Sequence, residues 1–207
     1  MGTVTSVGSG NYNTGSTWDS GARPGSSDDV VIASGHTVTL AQNENANSLT
    51  IASGGTIVGA GYEITIDGED SSGFAVNNDG TISGNLDLEI NTQATTTCDF
   101  NGTSGNFQNI KLNHASVDAT FHTDTTFDGT LIIAAGTLKP QCGSTIAVAG
   151  DTTVTGTFGV AAGSGAHSFG SVTINSGGTF IATSGTTTLT SETSGGYTWR
   201  NNGGTFT

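Results

Sequence analysis

Ser48-Leu49-Thr50-Ile51-Ala52-Ser53-Gly54-Gly55-Thr56-Ile57 returns in the last quarter of the chain as Ser171-Val172-Thr173-Ile174-Asn175-Ser176-Gly177-Gly178-Thr179-Phe180, identical at seven of ten positions. A looser copy is Thr130-Leu131-Ile132-Ile133-Ala134-Ala135-Gly136-Thr137-Leu138. Apolar residues alternate with Thr in these copies, so each is a short strand with one apolar and one hydroxyl face. Glycine then turns the chain, and a second strand begins at Thr56-Ile57-Val58 and at Thr179-Phe180-Ile181. A strand-turn-strand unit that recurs along a chain marks a repeat architecture, in which one unit cannot bury its apolar side alone.

Taking Leu88, Leu112, Ile132, Val154 and Ile174 as equivalent inward positions gives a recurrence of roughly 20 to 24 residues, the interval expected of a coiled repeat. The expected fold is therefore all-β: a single-stranded right-handed parallel β-helix, or β-solenoid, with about 20 to 24 residues per turn. Each strand then stacks on its counterpart one turn later, about 4.8 Å away. The inward set runs from Val31, Val38, Leu40, Leu49 and Ile51 through Ile64, Ile66, Ile90, Phe121 and Phe158 to Val172, Ile174 and Phe180. Two places break the period: Ile66 follows Ile51 by well under a full turn, and Gly68 to Gly84 reads as irregular. An antiparallel sandwich also alternates strands and turns. It does not need a recurring decapeptide, and its hairpins favour Asn-Gly or Asp-Gly over the Gly-Gly and Ser-Gly bends found here.

Composition removes other classes. With 33 Gly, 2 Pro and 10% charged residues in 207, the chain is not collagen, a disordered acidic polymer or a long helix. Seventeen acidic residues against four basic ones give a net charge of -13, which repels polyphosphate and argues against nucleic acid as a partner. The same charge discourages edge-to-edge pairing between copies. No stretch is apolar enough for membrane insertion. The start, Met1-Gly2-Thr3-Val4-Thr5-Ser6, lacks the cationic and apolar regions of a leader. The expectation is a product assembled inside the cell that makes it, unless a leader has been removed.

Residues 1–30 read as an N-terminal cap or docking segment, with Trp18 as an aromatic lid and Pro24 in a rigid turn, and residues 31–207 as the solenoid repeats. A sugar-stacking role is the sharper alternative for Trp18. At the other end, Gly203-Gly204-Thr205-Phe206-Thr207 is a strand signal with no polar cap after it. That edge is expected to be covered by further chain, a neighbouring subunit or another protein.

Few residues suggest chemistry. Asp28-Asp29 with His36 is the one cluster mixing carboxylate and imidazole, and adjacent Asp side chains on a strand point to opposite faces. Asp29 reads better as closing the turn at Pro24-Gly25-Ser26-Ser27. The cations Arg23, Lys111, Lys139 and Arg200 are scattered, which disfavours a lyase. Asp67, Glu69 and Asp70 form an acidic loop that reads as solvated rather than as a calcium site. His114, His122 and His167 lack metal-ligand spacing, and Cys98 and Cys142 read as separate thiols. Asn101-Gly102-Thr103 is a formal glycosylation sequon. No residue is assigned a catalytic, cofactor-binding or metal role, and no cofactor is expected.

The run from Trp18 through Pro24-Gly25-Ser26-Ser27-Asp28-Asp29-Val30-Val31-Ile32-Ala33-Ser34-Gly35-His36-Thr37-Val38-Thr39-Leu40 to Ser48-Leu49-Thr50-Ile51 and Gly54-Gly55-Thr56 resembles the opening of β-solenoid proteins of bacterial surfaces and tailed phages. Asn201-Asn202-Gly203-Gly204-Thr205-Phe206-Thr207 is similar to repeats of the same group. Together they cover about a third of the chain, and fold resemblance does not transfer function. The resemblance implies a non-enzymatic structural virion protein: a fibre, spike or head decoration whose partners are other virion or surface proteins. Such proteins commonly unite copies of themselves, often three, and some bind glycans. The alternatives are a secreted or cell-surface bacterial adhesion module, and a carbohydrate-active β-helix enzyme with its groove near Asp28, Asp29 and His36.

Overall fold

A computed structural model describes residues 2–100, 107–141, 143–159, 163–191 and 196–207. Asn101-Gly102-Thr103 and Cys142 lie outside the described residues. The chain is a parallel β-solenoid of about seven turns, and among the described residues the one helical element is a single 3-10 turn at Gly15–Thr17.

Three faces follow one another in each turn. Face one is a ten-stranded parallel sheet that starts with Thr3–Thr5, Asp29–Ile32 and Ser48–Ile51 and ends with Thr157–Phe158, Thr179–Phe180 and Thr205–Phe206. Face two carries Gly10–Asn11, Thr37–Thr39, Thr56–Val58 and Thr81–Ser83, and later, at the same place in the winding order, Thr125–Phe127 and Thr187–Leu189. Face three stacks Glu44–Ala46, Glu63–Ile66, Asp87–Ile90, Ile110–Leu112 and Leu131–Ile133, and closes with Trp199–Asn201. The strand Ile146–Val154 serves two faces: residues 146–148 pair with Thr125–Phe127, while residues 152–154 pair with Leu131–Ile133. Its register shifts between Val148 and Asp151, the irregularity that lets a strand bend round a corner.

On face three the inward column is Ala46, Ile66, Ile90, Leu112, Ile133, Val154 and Ile174, each partnered with the next across one coil. The turn length expected from sequence holds, but its residue assignments need three corrections. Leu88 belongs to the neighbouring column with Ile64, Ile110 and Leu131. Ile132 points outward and is 37% exposed, because Leu131 and Ile133 take the inward places. Val31 is likewise outward, between buried Val30 and Ile32. In a run of three apolar residues alternation alone cannot set the parity, and an error of one reverses every side chain.

The two decapeptide copies do not stack. The first runs along face one and turns onto face two, whereas the second runs along face three and turns onto face one. What they share is a corner. Gly177 has φ +84°, a conformation glycine adopts freely. A Cβ on Gly178 would run into the Val154 carbonyl of the turn below. The segment from Gly68 to Gly84, irregular by sequence, contributes the strands Phe74–Asn78 and Thr81–Ser83, and the first of these is irregular: Ala75 and Val76 are both buried, and the register with Thr95–Asp99 steps over Ala75. The short step from Ile51 to Ile66 exists because the two residues belong to different faces.

The tube is packed with Val, Ile and Leu through most of its length and with aromatics toward its far end. Phe158 stacks on Phe180 at 4.8 Å between ring centroids, and Phe180 on Phe206 at 6.0 Å. At the near end residues 3–5 and 10–11 already extend faces one and two. There Tyr12 and Trp18 meet edge to face at 5.2 Å, and the Trp18 indole donates to the Tyr12 carbonyl at 2.7 Å. Trp18 is 2% exposed, so its ring is a plug and offers no surface for stacking a sugar.

Candidate functional site

The solenoid turns every second strand residue outward, so chemistry must be sought on the faces and corners. Asp28 accepts from the Gly25 amide at 2.9 Å. One oxygen of Asp29 accepts from Asn47 at 2.7 Å and Ser48 at 2.8 Å, both in the next turn. His36 sits at the following corner, where its Nδ1 is 2.9 Å from the Ser6 hydroxyl, which in turn accepts from the Ala33 amide. The two carboxylates and the imidazole thus serve separate corners and form no shared site.

In the acidic loop, Asp70 closes its own turn by accepting from the amides of Ser72 at 2.8 Å and Phe74 at 2.9 Å. Asp67 accepts from Asn91 one turn on, at 3.2 Å. Among the described residues no group of three His, Cys, Asp or Glu is placed to hold a metal ion. Cys98 is buried inside the tube, where burial pushes its thiol well above the ordinary range. A nucleophilic thiolate is thereby disfavoured.

Stacking brings together one cluster that sequence reasoning missed. On the outside of face three, Glu63, Asp87, Asn109, Lys111, Thr130 and Ile132 line a shallow groove of about 240 Å³. Asn109 donates to Asp87 at 2.8 Å, while its oxygen accepts from the Thr130 amide and hydroxyl at 2.8 and 2.9 Å. Lys111 pairs with Glu89 at 3.0 Å. Burial, then the neighbouring charges of Glu89 and Asp87, raise the Glu63 carboxyl above its ordinary value, with Lys111 opposing. Two carboxyl groups in register on one face, one of them with its proton affinity raised by burial, is a pairing that glycoside hydrolysis can use. The signal is present in the sequence, because Glu63, Asp87 and Asn109 follow one another at intervals of one turn each. It becomes readable only once the turn lengths are known.

The same hydrogen-bonding chemistry recurs where there is no groove. Ser171 donates to Asp151 at 2.6 Å, Lys139 to Asp118 at 2.7 Å, and Asn47 to Asp29 as above. Each carboxylate holds a donor from the next turn. These charge-assisted bonds staple successive coils along the length of the rod.

The imidazole of His167 lies inside the tube. The residue is 2% exposed, and its Nδ1 accepts from the Ile146 amide at 3.0 Å, which places the proton on Nε2. The ring meets Phe158 edge to face at 5.5 Å. Burial holds the imidazole below its ordinary 6.5. The unfolded chain therefore takes up a proton that the folded chain refuses, and stability is lost as pH falls below about 6.5. Calorimetric melting across this range should show the loss. The fall should be shallower in His167→Asn, which keeps an acceptor for the Ile146 amide. Glu44 and Glu63, both raised, act with the opposite sign, so the comparison between wild type and variant isolates the histidine.

No protein family, curated protein or solved structure matches the chain. Fold and surface together define a parallel β-solenoid stapled from turn to turn by its own polar side chains.

Proposed function

We propose that the chain is a structural protein of a tailed-phage particle, a rigid non-enzymatic rod that serves as fibre, spike or head decoration and works through assembly. The observation that carries this reading is the use of the outward carboxylates. Asp29, Asp67, Asp87, Glu89, Asp118 and Asp151 are each engaged by a donor from the adjacent turn. Groups so engaged stiffen a rod and are poorly free to do acid-base work. The net charge of -13 fits a partner that is protein rather than nucleic acid. Immunogold labelling of purified particles and of the producing cells tests the reading. Label on particles is expected; label confined to the cell envelope would replace it with the adhesion module.

A second reading, the carbohydrate-active solenoid, is favoured by one observation: the raised Glu63 carboxyl in register with Asp87. The structural reading predicts that Asp87→Asn costs about 0.5 to 1.5 kcal/mol through the weakened bond to Asn109. It also predicts no release of reducing ends from bacterial polysaccharides by the wild-type protein. Release that disappears in both Glu63→Gln and Asp87→Asn would establish the enzyme instead.

A further inference from the structure

His167 opens the strand His167–Ile174 and lies at a place where the stack is interrupted. It is in register with Thr187 of the turn above and sits one position before the Ala147–Ser168 pair with the turn below. Just beyond that pair the lower strand shifts register, between Val148 and Asp151, as it rounds its corner. On face two the two strands are therefore joined by only the pairs Ala147–Ser168 and Val148–Phe169, and the Ile146 amide adds a bond to the imidazole instead of to a backbone carbonyl. A side chain takes the place of a rung.

That rung depends on protonation. The Nδ1 lone pair accepts the Ile146 N–H or takes up a proton from solvent, and it cannot do both. Two N–H groups would then face each other, inside an apolar tube. The ring has Phe158 edge to face at 5.5 Å and Phe169 at 6.2 Å, and its Nε2 has no hydrogen-bond partner among the described residues. Nor does a carboxylate face it. Asp151, on the strand below, points outward and is held by Ser171. Asp124, just before Thr125–Phe127, is exposed and accepts from the Thr145 amide at 2.7 Å. The strands Thr157–Phe158, Thr179–Phe180 and Thr187–Leu189 carry no titratable side chain.

We propose that His167 is an acid-released catch: protonation of Nδ1 breaks its bond to the Ile146 amide and opens the coil around His167 while the earlier coils stay wound. The opening is local because each turn of a solenoid is held only by its neighbours. The loss of stability with falling pH derived above concerns the whole chain. This inference adds where the chain yields and through which bond, and it holds whatever particle or surface the rod belongs to.

Amide hydrogen exchange of the folded protein from about pH 7.5 to about pH 5, corrected for the intrinsic exchange rate, tests it. Opening constants for Ile146–Val148, His167–Phe169 and Thr187–Leu189 should rise by up to about tenfold per pH unit below about 6.5, since each opening takes up one proton. Those for Asp29–Ile32, Ser48–Ile51 and Glu63–Ile66 should stay level. His167→Asn should flatten the response, and His114→Asn, which alters an imidazole in another coil, should keep it. The readout is the slope with pH within each protein, so a lower baseline stability in a variant does not hide it. His167→Gln serves the same purpose if the asparagine variant does not fold. A level profile around His167 in the wild type, an equal rise in the first coils, a response that survives removal of the His167 imidazole, or one lost in His114→Asn would each overturn the proposal.

Discussion

Phe158→Ala lowers the free energy of unfolding by about 3 to 5 kcal/mol, the cost of deleting a fully buried aromatic whose surroundings cannot collapse into the space. Collapse is resisted here because Phe158 is held on several sides. It stacks on Phe180 and meets Phe169 edge to face at 5.4 Å and His167 at 5.5 Å. Its strand is tied to the strands below and above by parallel pairing. In a solenoid each turn is stabilised only by its neighbours, so the damage should stay local before it becomes global. Amide exchange should quicken over the strands Thr137–Pro140, Thr157–Phe158 and Thr179–Phe180 while the strands near Ile51 and Ile66 keep wild-type protection. Urea unfolding followed by circular dichroism measures the total. A loss under about 1 kcal/mol would mean that the aromatic column is loosely packed.

That column also shows where sequence reasoning stops. Alternation of Thr with Val, Ile or Leu identifies most of the interior, since an outward hydroxyl and an inward hydrocarbon are what a one-sided strand requires. It fails at Val31 and Ile132, where apolar residues are adjacent and parity is decided by the strand's pairing. The recurring decapeptide reveals the architecture without revealing its own position. Strand, glycine corner and strand solve the same steric problem at any vertex, so the copies occupy different corners. Phe169 and His167 share one interior with Phe158 because the coil returns on itself once per turn, a proximity that can be read only when the register is known without a slip of one position.

The candidate groove is hidden for the same reason. Glu63, Asp87, Asn109 and Thr130 lie one turn apart, and the turns along face three are unequal in length, so no fixed period applied to the sequence brings all four into line. Asp28 and Asp29, by contrast, are adjacent and conspicuous, but Asp28 closes the turn at Gly25 while Asp29 opens the strand and bonds to Asn47 and Ser48 of the next turn. Short-range proximity in sequence points to side chains that the fold engages with separate partners, while the hydrogen-bonded juxtapositions run along the stack.

Arg23→Ala should cost about 2 kcal/mol, measured by urea unfolding at neutral pH. Glu44 occupies an inward place on the first strand of face three, in register with Ile64 of the next turn, and is 1% exposed. Arg23 reaches its carboxylate at 2.5 Å from a segment that crosses the near end of the tube. Gln42 holds the same guanidinium, its amide oxygen accepting from Nη1 at 2.9 Å. Breaking a fully buried pair costs more, but the Arg23 side chain is 43% exposed and solvent screens part of the attraction. Burial already raises the Glu44 carboxyl above its ordinary 4.5, with Arg23 pulling it down. Without Arg23 the folded value climbs further, and a raised carboxyl contributes stability that is complete below the unfolded value and is lost as pH rises through the folded one. The gap between wild type and variant should therefore be widest at neutral pH and close below about pH 4.5. Glu44→Gln in the Arg23→Ala background removes the charge that has lost its partner, so it should recover most of the stability and abolish the pH dependence of the gap. If the double variant is no more stable than Arg23→Ala, the arginine acts by covering apolar surface, and the buried carboxylate is not what it holds in place.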